Sequence, residues 1–182
     1  MRLYLVRHAE AEDGDVDVER QLTDRGRADA RRLAEALRPL ELRVREIWHS
    51  GYPRAAQTAE PIAHEIAGAA LKAHDGLTPF DRTRPIAKEI KRFGGDLMIV
   101  GHEPFLGKLA ARLVTGRAAR AVVKLDKPSI VCLDDDDDAS GEWRVRWMLS
   151  RDVTSPGQAP AVEARRGVDA ATTPHGTDGP PA

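Results

Sequence analysis

The chain carries the sequence LMIVGHEP at residues 97–104, which is the clearest example of a pattern that recurs along it. Its first four residues are apolar and predict a short strand, because a strand covered on both faces of a sheet is apolar throughout. Gly101 and His102 form a turn, and Pro104 is typical of the start of a helix, where its missing backbone N–H costs nothing. The helix that follows has an apolar face made of Leu106, Leu109, Ala110 and Leu113. The stretch therefore predicts a strand, a tight turn bearing a histidine, and a helix.

The same order of elements occurs twice earlier in the chain. Arg2 to Val6 predicts a first strand, followed after an acidic loop by a helix that Pro39 terminates. Glu46 to His49 predicts a second strand, followed by a turn and a helix over residues 53–66. Strands alternating with helices predict an α/β fold: three layers, doubly wound, with a mainly parallel sheet and helices on both faces.

The rest of the chain divides into an edge and a tail. A weaker strand is predicted near Leu71 to His74 and a short helix around Ile86 to Phe93. Three further strands without intervening helices predict an antiparallel edge, at Ala121 to Leu125, Ser129 to Leu133 and Trp143 to Leu149. Residues 154–182 are rich in Pro, Gly and Ala with few large apolar side chains, so we expect a folded domain over 1–153 and a disordered tail over 154–182.

Composition limits the possible partners. Of 182 residues, 28 are basic and 29 acidic, so no overall positive field would draw the chain to nucleic acid or to an anionic membrane. The single cysteine, Cys132, excludes an internal disulfide and fits a reducing compartment. The N-terminal apolar run is too short for a signal peptide, and no segment is long enough to span a membrane. We therefore expect a cytoplasmic protein.

Four residues are predicted to meet at one edge of the sheet. In an open parallel sheet, ligands bind beyond the carboxyl ends of the strands. The loops there carry Arg7 and His8 after the first strand, Arg54 after the second, and His102 after the strand at Leu97. No metal-ligand pattern accompanies these histidines, so we expect no metal and no cofactor. Two guanidinium groups and helix N-termini instead suit a phosphoryl group.

Histidine would supply the nucleophile for such a group. A neutral imidazole near pH 7 keeps a free lone pair on one ring nitrogen, which is competent to attack phosphorus. Phosphoryl transfer depends chiefly on positioning and on neutralising the oxygens of the transferred group, which is a task for the cations of the cluster.

The motifs around these residues resemble those of the histidine phosphatase superfamily. Its Arg-His-Gly motif appears as Arg7-His8-Ala9, with alanine in place of glycine. The segment Arg20-Gln21-Leu22-Thr23-Asp24-Arg25-Gly26 matches a second motif, Ser50 through Ala59 a third, and Gly101 to Pro104 a fourth. The resemblance covers about residues 1–149 and implies a phosphoglycerate mutase-like fold. It also implies that His8 is the phosphorylated nucleophile and that Arg7, Arg54 and His102 form the phosphate pocket, with Arg20 at its rim.

Within the superfamily the chain is similar to the small SixA-type phosphohistidine phosphatases, which share Leu77-Thr78-Pro79. Larger relatives insert a capping segment where only about 35 residues separate Ile66 from Gly101 here. Many relatives carry a general acid on that insert, and Asp75 is a candidate for this role by position alone.

Three functions remain open from the sequence. The first is a phosphatase acting on a phosphohistidine of a partner protein. The second is a phosphatase for a small phosphate ester, such as a sugar phosphate or a nucleotide. The third is a non-catalytic module that binds a phosphoprotein through the same arginines.

Overall fold

A computed structural model describes residues 1–118, 122–135 and 142–150 of the chain. Strands and helices alternate over most of its length. The strands are β1 (Arg2–Arg7), β2 (Glu46–His49), β3 (Ala70–Ala73), β4 (Leu97–Gly101), β5 (Ser129–Asp135) and β6 (Trp143–Ser150). The longer helices are α1 (Asp24–Leu37), α2 (Pro53–Glu65), α3 (Thr83–Phe93) and α4 (Phe105–Thr115).

The six strands form one sheet in the order β3-β2-β4-β1-β5-β6. The pairs β1–β4, β2–β4 and β2–β3 are parallel, whereas the pairs β1–β5 and β5–β6 are antiparallel. Arg7 pairs with Gly101 and His49 with Val100, so β1, β2 and β4 end side by side. This register gathers the loops that follow the three strands at one edge of the sheet.

Two apolar cores cover the two faces of the sheet. On one face Tyr4, Val6 and Ile47 pack with α1 and α2; on the other face Leu3 and Leu5 pack with α3 and α4. Successive residues of β1 therefore face different cores, as the period of two in a strand requires. The predicted three-layer, doubly wound fold with an antiparallel edge is confirmed.

The strand predicted at Ala121 to Leu125 is wrong for its described part, since residues 122–128 form bends and irregular backbone. The backbone of Leu125 bonds to side chains instead of a neighbouring strand. Its N–H donates to Glu103 Oε1 at 3.1 Å, and its carbonyl accepts from Arg7 at 2.6 Å. Leu125 is fully buried, as its apolar side chain predicts, but its backbone groups bond to Glu103 and Arg7 instead of to another strand.

Two further strands and a tail are predicted in the C-terminal part of the chain. The strands at Ser129 and Trp143 are present, whereas the tail over 154–182 lies outside the described residues. None of the helices in the described part of the chain is long and apolar enough to cross a membrane.

Candidate active site

Five of the predicted site residues line one cleft of about 330 Å³ at the edge where β1, β2 and β4 end: Arg7, His8, Arg20, Arg54 and His102. Arg7 ends β1 and His8 follows it, while Arg54 lies in the first turn of α2. His102 follows β4 directly and its carbonyl accepts the Leu106 N–H of α4 at 2.9 Å. The parallel register thus brings together side chains that are nearly 100 residues apart in sequence.

The His8 ring is buried and held in one tautomer. Its Nδ1 lies 2.7 Å from the Ala9 carbonyl oxygen. A carbonyl can only accept, so Nδ1 carries the proton and the lone pair of the neutral ring is on Nε2. Burial, and repulsion from His102 whenever that ring is protonated, lower the pKa of His8 to about 3, even though the Ala9 hydrogen bond opposes this shift. His8 is therefore neutral at pH 7.

Hydrogen bonds hold the His8 loop against its neighbours. The Ala9 N–H donates to Thr58 Oγ1 at 3.0 Å, and the same hydroxyl donates to the Arg54 carbonyl at 2.7 Å. Further along, the Thr23 N–H donates to the Glu10 carbonyl, against which Gly26 packs so closely that a Cβ would lie 2.0 Å from the oxygen. The loop after β1 is thereby fixed to both α1 and α2.

Two guanidinium groups flank His8. Arg54 is 3% exposed and donates to Asp17 twice, to the backbone oxygen and to Oδ2 at 2.9 Å. Arg7 is held through its bond to the Leu125 carbonyl, and its Nε is a buried polar atom without a partner among the described residues. Both arginines are fixed by the protein itself, which leaves further N–H groups of each fork for an anion.

His102 is 1% exposed and lies against His8, with ring centroids 4.9 Å apart. Its Nε2 is 2.6 Å from Ser50 Oγ, while within the described chain its Nδ1 is buried without a partner. Burial and the positive charge of Arg54 lower the pKa of His102 to about 3, although Asp17 acts in the opposite direction. An anion in the cleft would favour the protonated ring by the same electrostatics.

The cleft contains residues that the motifs do not identify. Lys127 and the carboxylates of Asp17 and Glu103 line it, and Pro79 and Phe80 form part of its mouth. Phe80 is 89% exposed. Burial, followed by the charges of the nearby arginines, lowers the pKa of Lys127. Four basic side chains therefore face two carboxylates, which gives the cleft an excess of positive charge.

Register explains why Lys127 is here. Because β5 runs antiparallel to β1 and Ser129 pairs with Arg7, residues just before β5 lie beside the end of β1. The sequence predicts an antiparallel edge but not the pairing of Ser129 with Arg7, so nothing in the sequence indicates that Lys127 lies in the cleft. Glu103 does have one, since it lies inside the Gly-His-x-Pro motif.

Neither cleft carboxylate is placed as a ready proton donor. Slight burial raises the pKa of Asp17, but hydrogen bonds from Arg54 and Arg20 outweigh it and hold the pKa below its ordinary value. Glu103 accepts backbone N–H groups on both oxygens, from Leu125 at 3.1 Å and Gly107 at 3.2 Å. Asp75, the candidate from sequence position, is exposed and is not among the residues that line the cleft.

The donor set of the cleft suits an anion. Within residues 1–118, 122–135 and 142–150, no group of three or more His, Cys, Asp or Glu side chains could hold a metal ion. A buried neutral histidine that shares a cleft with fixed guanidinium groups, at the carboxyl ends of parallel strands, is a combination that suits a phosphoryl group.

Comparison with known proteins agrees with this class. A sequence profile described as "Histidine phosphatase superfamily (branch 1)" matches residues 3–81. A protein of unassigned function from Picosynechococcus sp. is 31% identical over 140 residues, which cover 73% of this chain and 84% of that protein. The chain belongs to the histidine phosphatase superfamily, whose members are phosphatases.

Solved structures with the same fold include several phosphatases. The protein histidine phosphatase SixA complexed with tungstate has a TM-score of 0.72 and 23% identity, covering 83% of this chain and 97% of that one. A putative phosphohistidine phosphatase SixA from Agrobacterium tumefaciens has a TM-score of 0.68 and 23% identity, covering 82% and 97%. A mycobacterial glucosyl-3-phosphoglycerate phosphatase with inorganic phosphate has a TM-score of 0.66 and 18% identity, covering 82% and 98%. At these identities the likeness establishes the phosphoglycerate mutase-like fold.

Proposed function

We propose that this chain is a phosphohistidine phosphatase that removes the phosphoryl group from a histidine on a partner protein, without a metal ion, through a phosphohistidine formed on His8. The observation that carries the proposal is the pairing of a neutral, tautomer-fixed nucleophile with an excess of fixed cations, in a cleft whose two carboxylates, Asp17 and Glu103, already accept hydrogen bonds from the protein. Each part of this arrangement corresponds to one requirement of the reaction.

His8 provides the nucleophile. Since Nδ1 donates to the Ala9 carbonyl, the Nε2 lone pair attacks phosphorus in line with the bond to the leaving group. The substrate P–N bond breaks, and its electron pair goes to the departing imidazole, which takes a proton from solvent. Water then attacks the phosphorus of the phosphorylated His8, and Nε2 leaves as the neutral ring.

The cations provide most of the rate acceleration. Arg7, Arg54 and His102 surround the equatorial oxygens, where negative charge accumulates in the transition state, and Arg20 and Lys127 add positive charge at the rim. The two arginines are already held by Leu125 and Asp17, so little reorganisation is needed when the substrate arrives.

The leaving group selects the substrate class. A departing alkoxide requires protonation by a general acid, whereas imidazole is a better leaving group and departs with less assistance. The ionised state of Asp17 and the two backbone hydrogen bonds on Glu103 therefore favour a phosphoamidate. Phe80 at the mouth of the cleft is exposed to solvent, where a folded protein that presents its phosphohistidine could contact it.

The proposal is tested by phosphate release from a phosphohistidine protein and from a panel of sugar phosphates and nucleotides. Wild type and His8→Ala are compared in the presence of EDTA. We expect preferential turnover of phosphohistidine, insensitive to EDTA and lost in the variant. Faster turnover of a small ester would retain the mechanism and replace the substrate. Phosphate binding without turnover of any compound would indicate the non-catalytic module.

A further inference from the structure

A groove of about 910 Å³ lies beside the active-site cleft and is strongly basic. Its walls are Arg82, Arg84, Pro85, Lys88, Glu89 and Arg92, which belong to α3 and to the residue preceding it. Arg82 is two residues from Phe80, which lines the mouth of the cleft, so their Cα atoms are at most about 7.6 Å apart. The linings of the groove and of the cleft share no residue, but they come within two residues of each other along the chain.

The cations of this groove are not neutralised by the protein. Within the described residues, Arg82, Arg84, Lys88 and Arg92 make no ion pair. The one acidic side chain in the groove, Glu89, is 3.0 Å from His74 Nε2 and is therefore already paired. The whole chain has a formal net charge of −1, so this positive charge is a local concentration.

The placement of the cations is unfavourable for the helix itself. Arg84, Lys88 and Arg92 are spaced four residues apart on one exposed face, where like charges repel. Arg82 is the N-cap and Arg84 is in the first turn, where the helix dipole favours anions and where α3 has no acidic residue. Only Arg92, in the last turn, has a favourable interaction with the dipole. Local stability therefore does not explain the pattern.

We propose that this groove docks an acidic segment of the phosphoprotein substrate and so presents its phosphohistidine to His8. The inference rests on the proposed function. An acidic protein surface fits better than nucleic acid, because the groove adjoins a site whose substrate is carried by a protein and the chain lacks an overall basic field.

The test uses three phosphohistidine peptides of equal length, flanked by Glu, Ser or Lys, together with free phosphohistidine. The variant Arg84→Glu/Lys88→Glu reverses the charge of the groove, and a carboxylate in the first turn of α3 favours rather than opposes the helix dipole. The control Arg31→Glu/Arg43→Glu makes the same change in net charge at exposed positions on α1 and before β2.

Wild type should prefer the Glu-flanked peptide, and increasing ionic strength should reduce that preference. The groove variant should lose about tenfold in kcat/KM for this peptide, mainly through KM, and change less than about twofold for free phosphohistidine. The control should retain wild-type values. Equal loss on free phosphohistidine, or equal losses in groove variant and control, would overturn the docking proposal.

Two further measurements keep the failures distinct. If wild type hydrolyses none of these compounds, the proposed function fails, and docking is then tested by binding of the non-phosphorylated Glu-flanked peptide to wild type and the groove variant. Stronger competition by a short DNA duplex than by polyglutamate would assign the groove to nucleic acid and contradict the proposal.

Discussion

The active-site cleft and the basic groove beside it hold similar numbers of cations in opposite ways. In the cleft, Arg54 is 3% exposed and donates to Asp17, and Arg7 donates to the Leu125 carbonyl. In the groove, Arg84 and Lys88 are exposed and make no ion pair within the described chain. Charges that the protein holds in place around a reacting group stabilise a transition state, whereas exposed charges attract and orient a partner. Substitutions in the two regions should therefore differ in both size and kind.

The largest effect is expected for His8→Ala. It removes the atom that forms the covalent intermediate, so turnover should fall by about four orders of magnitude or more. The cations remain, and binding of inorganic phosphate measured by titration calorimetry should stay within about tenfold of wild type. His64→Ala, at an exposed position on α2, is the control. Retention of turnover by His8→Ala would remove His8 from the mechanism.

Arg54→Lys should have the next largest effect. A lysine keeps the charge but loses the planar fork that contacts Asp17 and a phosphoryl oxygen together. We expect a loss of about 100-fold in kcat/KM, measured by steady-state kinetics. Arg38→Lys, at an exposed surface ion pair with Glu65, is the matched control and should be nearly neutral. A small loss at Arg54 would mean that net charge alone operates in the cleft.

Thr58→Val tests the link between the loop after β1 and helix α2. It leaves the buried Ala9 N–H without its acceptor, so the free energy of unfolding should fall by about 1–3 kcal/mol. Misplacement of His8 should also lower kcat more than it changes KM. Thr58→Ser keeps the hydroxyl and should retain most of both. If Val and Ser behave alike in denaturant unfolding and in kcat, the hydroxyl does not position His8.

The depressed histidine pKa values are directly measurable. NMR titration of the ring protons should find His8 and His102 neutral at pH 5, whereas an unperturbed histidine has a midpoint near 6.5. Since the folded-state pKa values lie below the unfolded ones, the unfolded chain binds more protons between about pH 3 and 6.5. The free energy of unfolding should therefore decrease on acidification through that range. Midpoints near 6.5 would contradict the burial of both rings.

The smallest effect is expected for Arg84→Glu/Lys88→Glu, and it tests whether the groove acts in docking alone. The charge-reversed groove variant described above should lose only about tenfold, and only with an acidic peptide substrate. A comparable loss on free phosphohistidine would mean that the groove takes part in catalysis, and the cleft and the groove would then have no separate roles.

The sequence predicts the sheet and the convergence of its loops well, because both depend on local patterns. Apolar runs followed by a turn and a helix mark β1, β2 and β4, and parallel strands bring their ends together. The failure at residues 122–125 has a specific cause: the backbone of Leu125 bonds to Glu103 and Arg7, and no local pattern reports a hydrogen bond to a side chain more than 20 residues away.

The parts of the site that motifs do not predict depend on long-range register and on side-chain partners. Lys127 enters the cleft because Ser129 pairs with Arg7 across an antiparallel edge. Asp17 holds Arg54 from a single 3-10 turn (Asp17–Glu19), which is too short to show any periodicity in the sequence. Position in the sequence likewise favoured Asp75 as a general acid, although it is not among the residues that line the cleft.

The most direct test of the central claim is to trap the covalent intermediate. Wild type is mixed with a phosphohistidine protein carrying a labelled phosphoryl group, quenched in alkali within the first turnover, and mapped by peptide mass spectrometry. Label on His8 that is stable to alkali and labile to acid, and absent in His8→Ala, is the predicted result. Turnover of the substrate by wild type with no label on His8 at any quench time would contradict the account.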